Sequence, residues 1–242
     1  AGVEPMRLLL RSGLRAHVLR LFDPFDSLLF GGREAGGRKD VPTPLKAAIG
    51  AMRARAAGPA LIAPGLLNRA VDLVPDRCLL IVSFEGTSKP AVAESLAEAS
   101  AMLLEQGGTD LGDGPARRWY RRRFSIGFKQ PAVYLAGAWT DTLEAATTWD
   151  RVPALVAAVR AAVAPHAFVT AHVTHPWHEG CAAYFTFLGS ALGLDRAEST
   201  YDATWKAALE AVRSVGATAS HHHGIGALKA RALPDELGDA GM

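Results

Sequence analysis

The stretch FVTAHVTHPWHEGCAAYFTFL, residues 168–188, contains two strand-like segments separated by a bend. Residues 168–173 and 181–188 are rich in β-branched, aromatic and small apolar side chains, a composition typical of buried strands. Between them, HPWHEG introduces Pro176 and Gly180, which interrupt extended backbone. The stretch therefore predicts two strands joined by a short connection, and the rest of the chain extends this pattern.

A strand followed by a helix is predicted upstream of this pair. Residues 79–84 form a short apolar run bounded by charge and Gly86, which indicates a buried strand. A helix then begins with Ser88 as its cap and Pro90 in its first turn, and it ends at Gly107.

Further units repeat this alternation. Residues 134–143, YLAGAWTDTL, alternate like a strand, and Thr147 with Asp150 forms a capping box for the next helix. Ser199 is the predicted cap of a last helix, which stops at Gly216. These units together predict an α+β fold, in which one layer of helices covers one antiparallel sheet built from ferredoxin-like βαβ pieces.

The N-terminal third of the chain has a different character. Residues 6–22 show near-helical spacing of apolar side chains, which predicts one helix, whereas residues 31–68 are rich in Gly, Pro, Ala and Arg. That second segment predicts a loop carrying one helix around residues 44–57. We therefore expect a helical and loop region over residues 1–78 that leads into a domain of residues 79–242. The chain also starts in mid-helix at Ala1, as an excised part of a longer protein would.

Composition excludes several classes of protein. Apolar residues make up 49% of the 242 residues, enough for a sizeable core. The longest apolar runs are far shorter than the roughly 20 residues of a membrane helix, and no secretory start is present, which predicts a cytoplasmic protein. A net charge of +2 gives no case for nucleic acid. Cys78 and Cys181 lie in separate apolar stretches, which favours buried free thiols over a disulfide.

Three histidines near the end of the first strand and in the connection, His172, His175 and His178, suggest a metal site at first sight. In one straight strand, however, His175 would oppose the other two, so all three reach one ion only if the chain bends at Pro176. No HExxH motif is present either. Hydrogen-bonded or solvated turn residues are the alternative, and no metal is expected in this chain.

Tyr184 lies in the second strand beside the same bend. The first interpretation is a core tyrosine whose hydroxyl reaches solvent. The functional alternative is a phenol held in a dry pocket beside cationic or flavin groups, where it moves a proton.

Five arginines occur in GPARRWYRRRF, residues 114–124. On a helix Arg118 and Arg122 share a face, while Trp119 and Tyr120 indicate that one side is buried. A solvated face and an anion-binding site are the two leading interpretations, and a nucleic-acid groove is the third. Arg122 is the candidate for the anion.

A run of three histidines stands in SHHHGIG, residues 220–226. If the segment is extended, His221 and His223 project together and His222 projects to the other side. Gly224 and Gly226 allow the backbone to pass close to another group. Such a segment holds imidazoles against a planar ligand.

These motifs, taken in order, resemble those of one family. SHHHGIG is similar to the C-terminal signature of the alkylglycerone phosphate synthases (alkyl-dihydroxyacetonephosphate synthases), within the vanillyl-alcohol-oxidase-type FAD-linked oxidoreductases. LLIVSFEG at 79–86, TDTLEAATTWDR at 140–151 and HVTHPWHEGCAAYFTF at 172–187 resemble the same family in order and spacing.

The resemblance implies an FAD-dependent enzyme of which this chain is the ferredoxin-like cap over the isoalloxazine ring. It implies that FAD is bound mainly by an N-terminal domain absent from this chain, so that the chain alone binds FAD poorly and is inactive. Tyr184 would be the general acid/base, and His221, His222 and His223 would line the flavin and substrate site, with His222 and His223 in the catalytic set. In the synthases an acyl group is exchanged for a fatty alcohol without net oxidation.

One position departs from the family pattern. Where the family usually presents an arginine, FKQP places Gln130, so Lys129 is the candidate to replace it, together with His172, His175 and Arg122, in binding the substrate. A lysine point charge does not reproduce an arginine fork. The departure leaves room for an FAD-linked dehydrogenase of 2-hydroxy acids, although relatives of that kind more often carry Glu-His-Gly where this chain has His-His-Gly.

Two alternatives come from other classes of protein. The first is a metal-dependent hydrolase that uses the histidines at 172, 175 and 221–223, and the second is a ligand-binding module without catalysis. The partners expected on the leading interpretation are a small-molecule substrate bearing a phosphate or carboxylate and a second copy of the chain in a homodimer.

Overall fold

The pair of strands predicted from residues 168–188 lies inside a larger sheet. The structure, a computed structural model, describes residues 2–31, 59, 61–74, 77–125, 128, 130–238, 240 and 241. The helix predicted around residues 44–57 lies outside these residues. In the described part, five strands form one sheet in the order β2-β1-β4-β5-β3, with antiparallel neighbours throughout. The strands are β1 Val18–Phe22, β2 Leu79–Ser83, β3 Ala138–Thr148, β4 Phe168–Thr174 and β5 Gly180–Ser190.

The helices of the described residues lie before, between and after the strands. They are α1 Val3–Arg11, α2 Pro24–Gly31, α3 Pro64–Asp72, α4 Lys89–Glu105, α5 Gly114–Arg122, α6 Gln130–Leu135, α7 Val152–Val163, α8 Leu194–Ser214, α9 Gly226–Lys229 and α10 Leu233–Leu237. A short 3₁₀ turn, Ala230–Ala232, joins the last two. Strand β5 lies between β3 and β4, so β3, α7 and β4 make the split βαβ unit of a ferredoxin-like fold. The predicted α+β class is confirmed.

The helices α1, α4, α7 and α8 cover one face of the sheet. Strand residues such as Leu143, Phe185 and Phe187 are fully buried there against the apolar faces of α7 and α8. A neighbouring cluster packs α1 and α4 on the other half of the same face, around Met6 and Leu21. Burial of this apolar area is the main favourable term in folding. The opposite face carries the polar side chains described below.

The helix predicted over residues 6–22 is wrong in its second half. Helix α1 ends at Arg11, and Gly13 adopts a φ of 90°, which turns the chain into strand β1. In β1, Leu19 and Leu21 face the helices and Arg20 faces the other side. The spacing of the leucines is compatible with the period of a helix and with the two-residue period of a strand. Only the two-residue period matches the position of this segment in the sheet.

Three other predicted boundaries are also wrong. Residues 130–135 are helical, and Gly137 separates this turn from β3. No side-chain cap begins α7, because Thr147 pairs with Cys181 in the sheet and the helix starts after Arg151. Helix α8 begins five residues earlier than Ser199, at Leu194 after Gly193. Ser199 instead donates its hydroxyl to the carbonyl of Arg196.

No disulfide joins the two cysteines; Cys181 is buried and Cys78 is half-buried. Burial raises the pKa of the Cys181 thiol to about 12. Among the described residues, no helix combines the length and apolar character needed to cross a bilayer.

We expect Gly180→Ala to destabilise the fold at the start of β5. A Cβ at this position would lie 2.1 Å from the backbone oxygen of Thr147 and 2.9 Å from its carbonyl carbon, so the paired strands must separate. We expect a loss of about 1–3 kcal/mol in the free energy of unfolding, measured by urea denaturation.

Gly65→Ala is the matched control. It lies in α3, where the nearest atom to a new Cβ is 3.8 Å away and alanine is the better helix former. Equal denaturation midpoints for the two variants would contradict the prediction.

Candidate active site

A row of side chains crosses the polar face of the sheet. Phe22 of β1 pairs with His172 of β4, His172 pairs with Tyr184 of β5, and Tyr184 pairs with Glu144 of β3. Because side chains of directly opposed residues project to the same face, these four side chains are neighbours. The register of the sheet therefore builds the site.

Tyr184 is the centre of this row. Its ring stacks on His172, with centroids 4.8 Å apart and an interplanar angle of 21°, and it meets His223 edge to face at 4.9 Å. Its hydroxyl donates to Oγ1 of Thr142 at 3.2 Å. The phenol is thus held by two imidazoles and one hydrogen bond, with its ring position fixed.

The histidine run reaches the row along the free edge of β3. After α8, Thr218 forms a backbone bridge with Ala146, with N···O distances of 2.9 and 3.1 Å. The backbone N–H groups of His221 and His222 then donate to Oε2 of Glu144 at 2.8 and 3.2 Å. One carboxylate oxygen therefore anchors the turn.

The segment is not extended, and the expected grouping of its side chains is wrong. His221 and His222 both turn toward Glu144, while His223 turns toward Tyr184. The reason is that Glu144 collects two successive N–H groups, which requires a bent backbone.

The connection between β4 and β5 closes over the same turn. His175, with a φ of 46°, packs against His222 at a ring distance of 4.2 Å. Trp177 stacks on His221 at 5.0 Å with an interplanar angle of 8°. The two histidine-bearing segments of the sequence therefore meet in space.

Glu144 is an ionised carboxylate beneath this turn, with a fully buried side chain. Burial by itself would raise its pKa, but the backbone hydrogen bonds from His221 and His222, with the charge of Lys229, outweigh it and the pKa is lowered. Lys229 is buried too, and its Nζ donates to the backbone carbonyl of Glu144 at 3.4 Å.

His172 is a neutral imidazole. Burial, followed by the positive charge of Arg20 and the neighbouring His175, lowers its pKa to about 3. Its Nδ1 lies 4.0 Å from Oδ2 of Asp26, a carboxyl whose own pKa is raised well above its usual range by burial and by Asp23. His172 Nε2 is buried and has no hydrogen-bond partner among the described residues.

Arg20 adds a cation to this face. Its guanidinium lies 5.6 Å from the ring centroid of Trp119 and 5.9 Å from that of Phe22. Burial lowers its pKa, and the nearby Tyr184 and Asp26 act to raise it. Sequence reasoning missed Arg20 because it assigned this segment to a helix; the alternation in VLRLF was the available signal.

Several predicted residues stand apart from this cluster. Arg122 is exposed at the end of α5, and Gln130 is exposed at the start of α6. His178 is exposed and lies 3.6 Å from Glu179. Lys129 lies outside the described residues. No contact between Arg122 and the histidines is seen in the described ranges, and its role stays a prediction.

Comparison with known proteins gives a consistent result. The family model described as FAD linked oxidases, C-terminal domain, matches residues 47–242. Alkyldihydroxyacetonephosphate synthase of Trypanosoma brucei brucei is 26% identical over 155 residues, which are 61% of this chain and 25% of that protein. The Dictyostelium discoideum enzyme of the same name is 24% identical over 156 residues, 62% of this chain and 25% of its own length. The match thus spans a quarter of each relative.

Solved structures show the same fold. Two structures of alkyldihydroxyacetonephosphate synthase superpose with TM-scores of 0.60 and 0.65, each at 18% identity. They cover 90% and 97% of this chain, which in turn covers 38% and 41% of theirs.

Proposed function

Because the chain belongs to the family of FAD linked oxidases, C-terminal domain, we propose that it is the substrate-binding and catalytic cap of an FAD-dependent enzyme similar to alkyldihydroxyacetonephosphate synthase. The observation that carries this proposal is the contact of Tyr184 with both His172 and His223 on the polar face of the sheet. A phenol between two imidazoles is suited to moving a proton.

The residues present fit a flat cofactor over this face. Tyr184 and His223 offer aromatic surface, and the buried Nε2 of His172 has no partner among the described residues, so a ligand atom can complete its hydrogen bonding. FAD, when bound, supplies the ring chemistry that no side chain here provides. We propose that most groups holding FAD lie outside these 242 residues, which is supported by the quarter of each relative that the chain matches.

The residues of this chain account for proton transfer and substrate binding. Tyr184 Oη transfers the substrate proton while Thr142 and His223 fix the phenol. Arg20, half-buried on the same face, binds the phosphate or carboxylate of the substrate through its two-pronged guanidinium. Neutral His172 supports the phenol through stacking and adds no positive charge to the pocket.

An FAD-linked 2-hydroxy-acid dehydrogenase is the second candidate. The guanidinium of Arg20 suits a carboxylate as well as a phosphate, so the charge of this face does not distinguish the two substrate classes. Cytoplasmic location and the homodimer stay predictions from the sequence.

The test is a comparison of two reactions in the FAD-loaded enzyme that contains this chain. We expect an acyl-dihydroxyacetone phosphate to release fatty acid in the presence of a fatty alcohol, with the flavin absorbance unbleached at the end of turnover. Anaerobic bleaching by a 2-hydroxy acid, without acyl release, would favour the dehydrogenase. Failure of both reactions would overturn the proposal. We also expect the 242-residue chain purified alone to be colourless.

A further inference from the structure

We infer that Glu144, His221 and His222 form a binding site for a divalent transition-metal ion. Glu144 Oε1 and the Nδ1 atoms of His221 and His222 all lie within 4.8 Å of one another. Two imidazole nitrogens and one carboxylate oxygen are a common protein ligand set for such ions. The inference rests on these three residues and not on the flavin function.

The distances between the donor atoms match those between the ligands of one ion. The two Nδ1 atoms are 3.2 Å apart, and Glu144 Oε1 lies 3.5 Å from Nδ1 of His222 and 3.9 Å from Nδ1 of His221. A tetrahedral ion with bonds of about 2.1 Å separates its ligands by about 3.4 Å. The triangle therefore needs only small adjustments to surround one ion.

Hydrogen bonding alone leaves this cluster incomplete. The imidazoles can share one proton between their Nδ1 atoms, but Oε1 of Glu144 is buried and has no hydrogen-bond donor in the described part of the chain. A buried carboxylate oxygen without a donor is unfavourable. An ion bound by all three atoms satisfies Oε1 and both nitrogens together.

The surroundings hold the ligands and leave a route for the ion. Oε2 of Glu144 accepts two backbone N–H groups, which orients the carboxylate. Trp177 stacks on His221, and His175 packs on His222. Meanwhile the side chains of His221 and His222 are 40% and 34% exposed. A fixed inner ligand with two accessible outer ones leaves a coordination position for water or a substrate oxygen.

The sequence did not predict this site: no metal was expected in the chain, and the hydrolase alternative combined His221 and His222 with His172 and His175 and not with Glu144. Glu144 is 77 residues from His221 in the chain, and only the register of β3 against the returning segment joins them. Zinc is the appropriate probe because it favours nitrogen and carboxylate ligands in tetrahedral geometry.

The test is a zinc titration of the metal-stripped chain by isothermal calorimetry, with thermal unfolding measured in parallel. We expect one equivalent to bind and the melting temperature to rise, because the ion binds the folded state. Glu144→Gln and His222→Ala should each weaken binding by at least about 10–100-fold. His178→Ala, which removes an exposed histidine from the neighbouring connection, should bind like the wild type.

Three results would overturn the inference. Binding that is equally tight in the Glu144→Gln variant would show surface chelation by the histidine run alone. Equal weakening in His178→Ala would show non-specific histidine binding, and no binding by a folded wild type would exclude the site outright. The thermal melts without zinc show whether each variant folds, and His222→Ala tests the site if Glu144→Gln does not. The zinc titration and the thermal melts depend on neither flavin content nor turnover. A failure of the proposed flavin function would therefore leave these results unchanged.

Discussion

Tyr184→Phe in the FAD-loaded enzyme should reduce kcat by about 10²–10⁴-fold, the usual contribution of one general acid/base. The substitution keeps the ring that stacks on His172 and meets His223, and it removes only the hydroxyl that donates to Thr142. The fold and the flavin content should therefore be unchanged. Steady-state turnover of the acyl-exchange reaction, with flavin absorbance measured on the same samples, checks the prediction.

Tyr134→Phe is the matched control, because it removes the same hydroxyl from a tyrosine that is 52% exposed on α6. We expect wild-type turnover from this variant. Full activity in Tyr184→Phe would remove the assigned proton transfer and leave the tyrosine as a packing residue. A lower kcat accompanied by lost flavin would show that the hydroxyl serves cofactor binding instead.

Phe185→Ala should lower the free energy of unfolding by about 3–5 kcal/mol, a large part of the total for an ordinary domain. Phe185 is fully buried in β5, where it lies opposite Leu143 of β3 and Ala171 of β4 under the helices α7 and α8. Truncation leaves a cavity at the middle of the sheet that strands on both sides prevent from collapsing. Urea denaturation followed by circular dichroism measures the change.

Phe128→Ala provides the comparison, since this side chain is 83% exposed. Its denaturation midpoint should stay close to that of the wild type, because little apolar area is lost from the core. If Phe185→Ala were as stable as Phe128→Ala, the packing of β5 against the helices would be incorrect.

Much of the fold could be predicted from local sequence patterns. The two strands around HPWHEG, the strand at 79–83 and the helix capped by Ser88 are confirmed. The strand at 18–22 was missed because an apolar pattern with leucines three and four apart does not exclude a strand, and the turn at Gly13 depends on a backbone angle. Apolar periodicity in a sequence predicts whether a segment is a helix or a strand more clearly than it predicts where the segment begins and ends.

The site was less accessible from the residues alone. The resemblance singled out Tyr184 and the histidine run, and the structure does bring His223 against Tyr184. Glu144 and Arg20 were not foreseen, because their positions depend on strand register and on a long-range contact. The structure gathers Glu144, rather than His172, with His221 and His222. The catalytic and binding roles themselves remain predictions for the experiments above.

The bridge between Thr218 and Ala146 links two properties that are usually separate. Strand β3 ends the sheet, and an uncovered outer strand is a template for pairing with other chains. Here the segment that follows α8 pairs with this strand at Ala146 and also carries the imidazoles of the site. Deletion of residues 218–242 is therefore expected to expose the outer edge of β3 to pairing with other chains and to remove the imidazoles of the site, so a truncated chain should lose solubility and the site together.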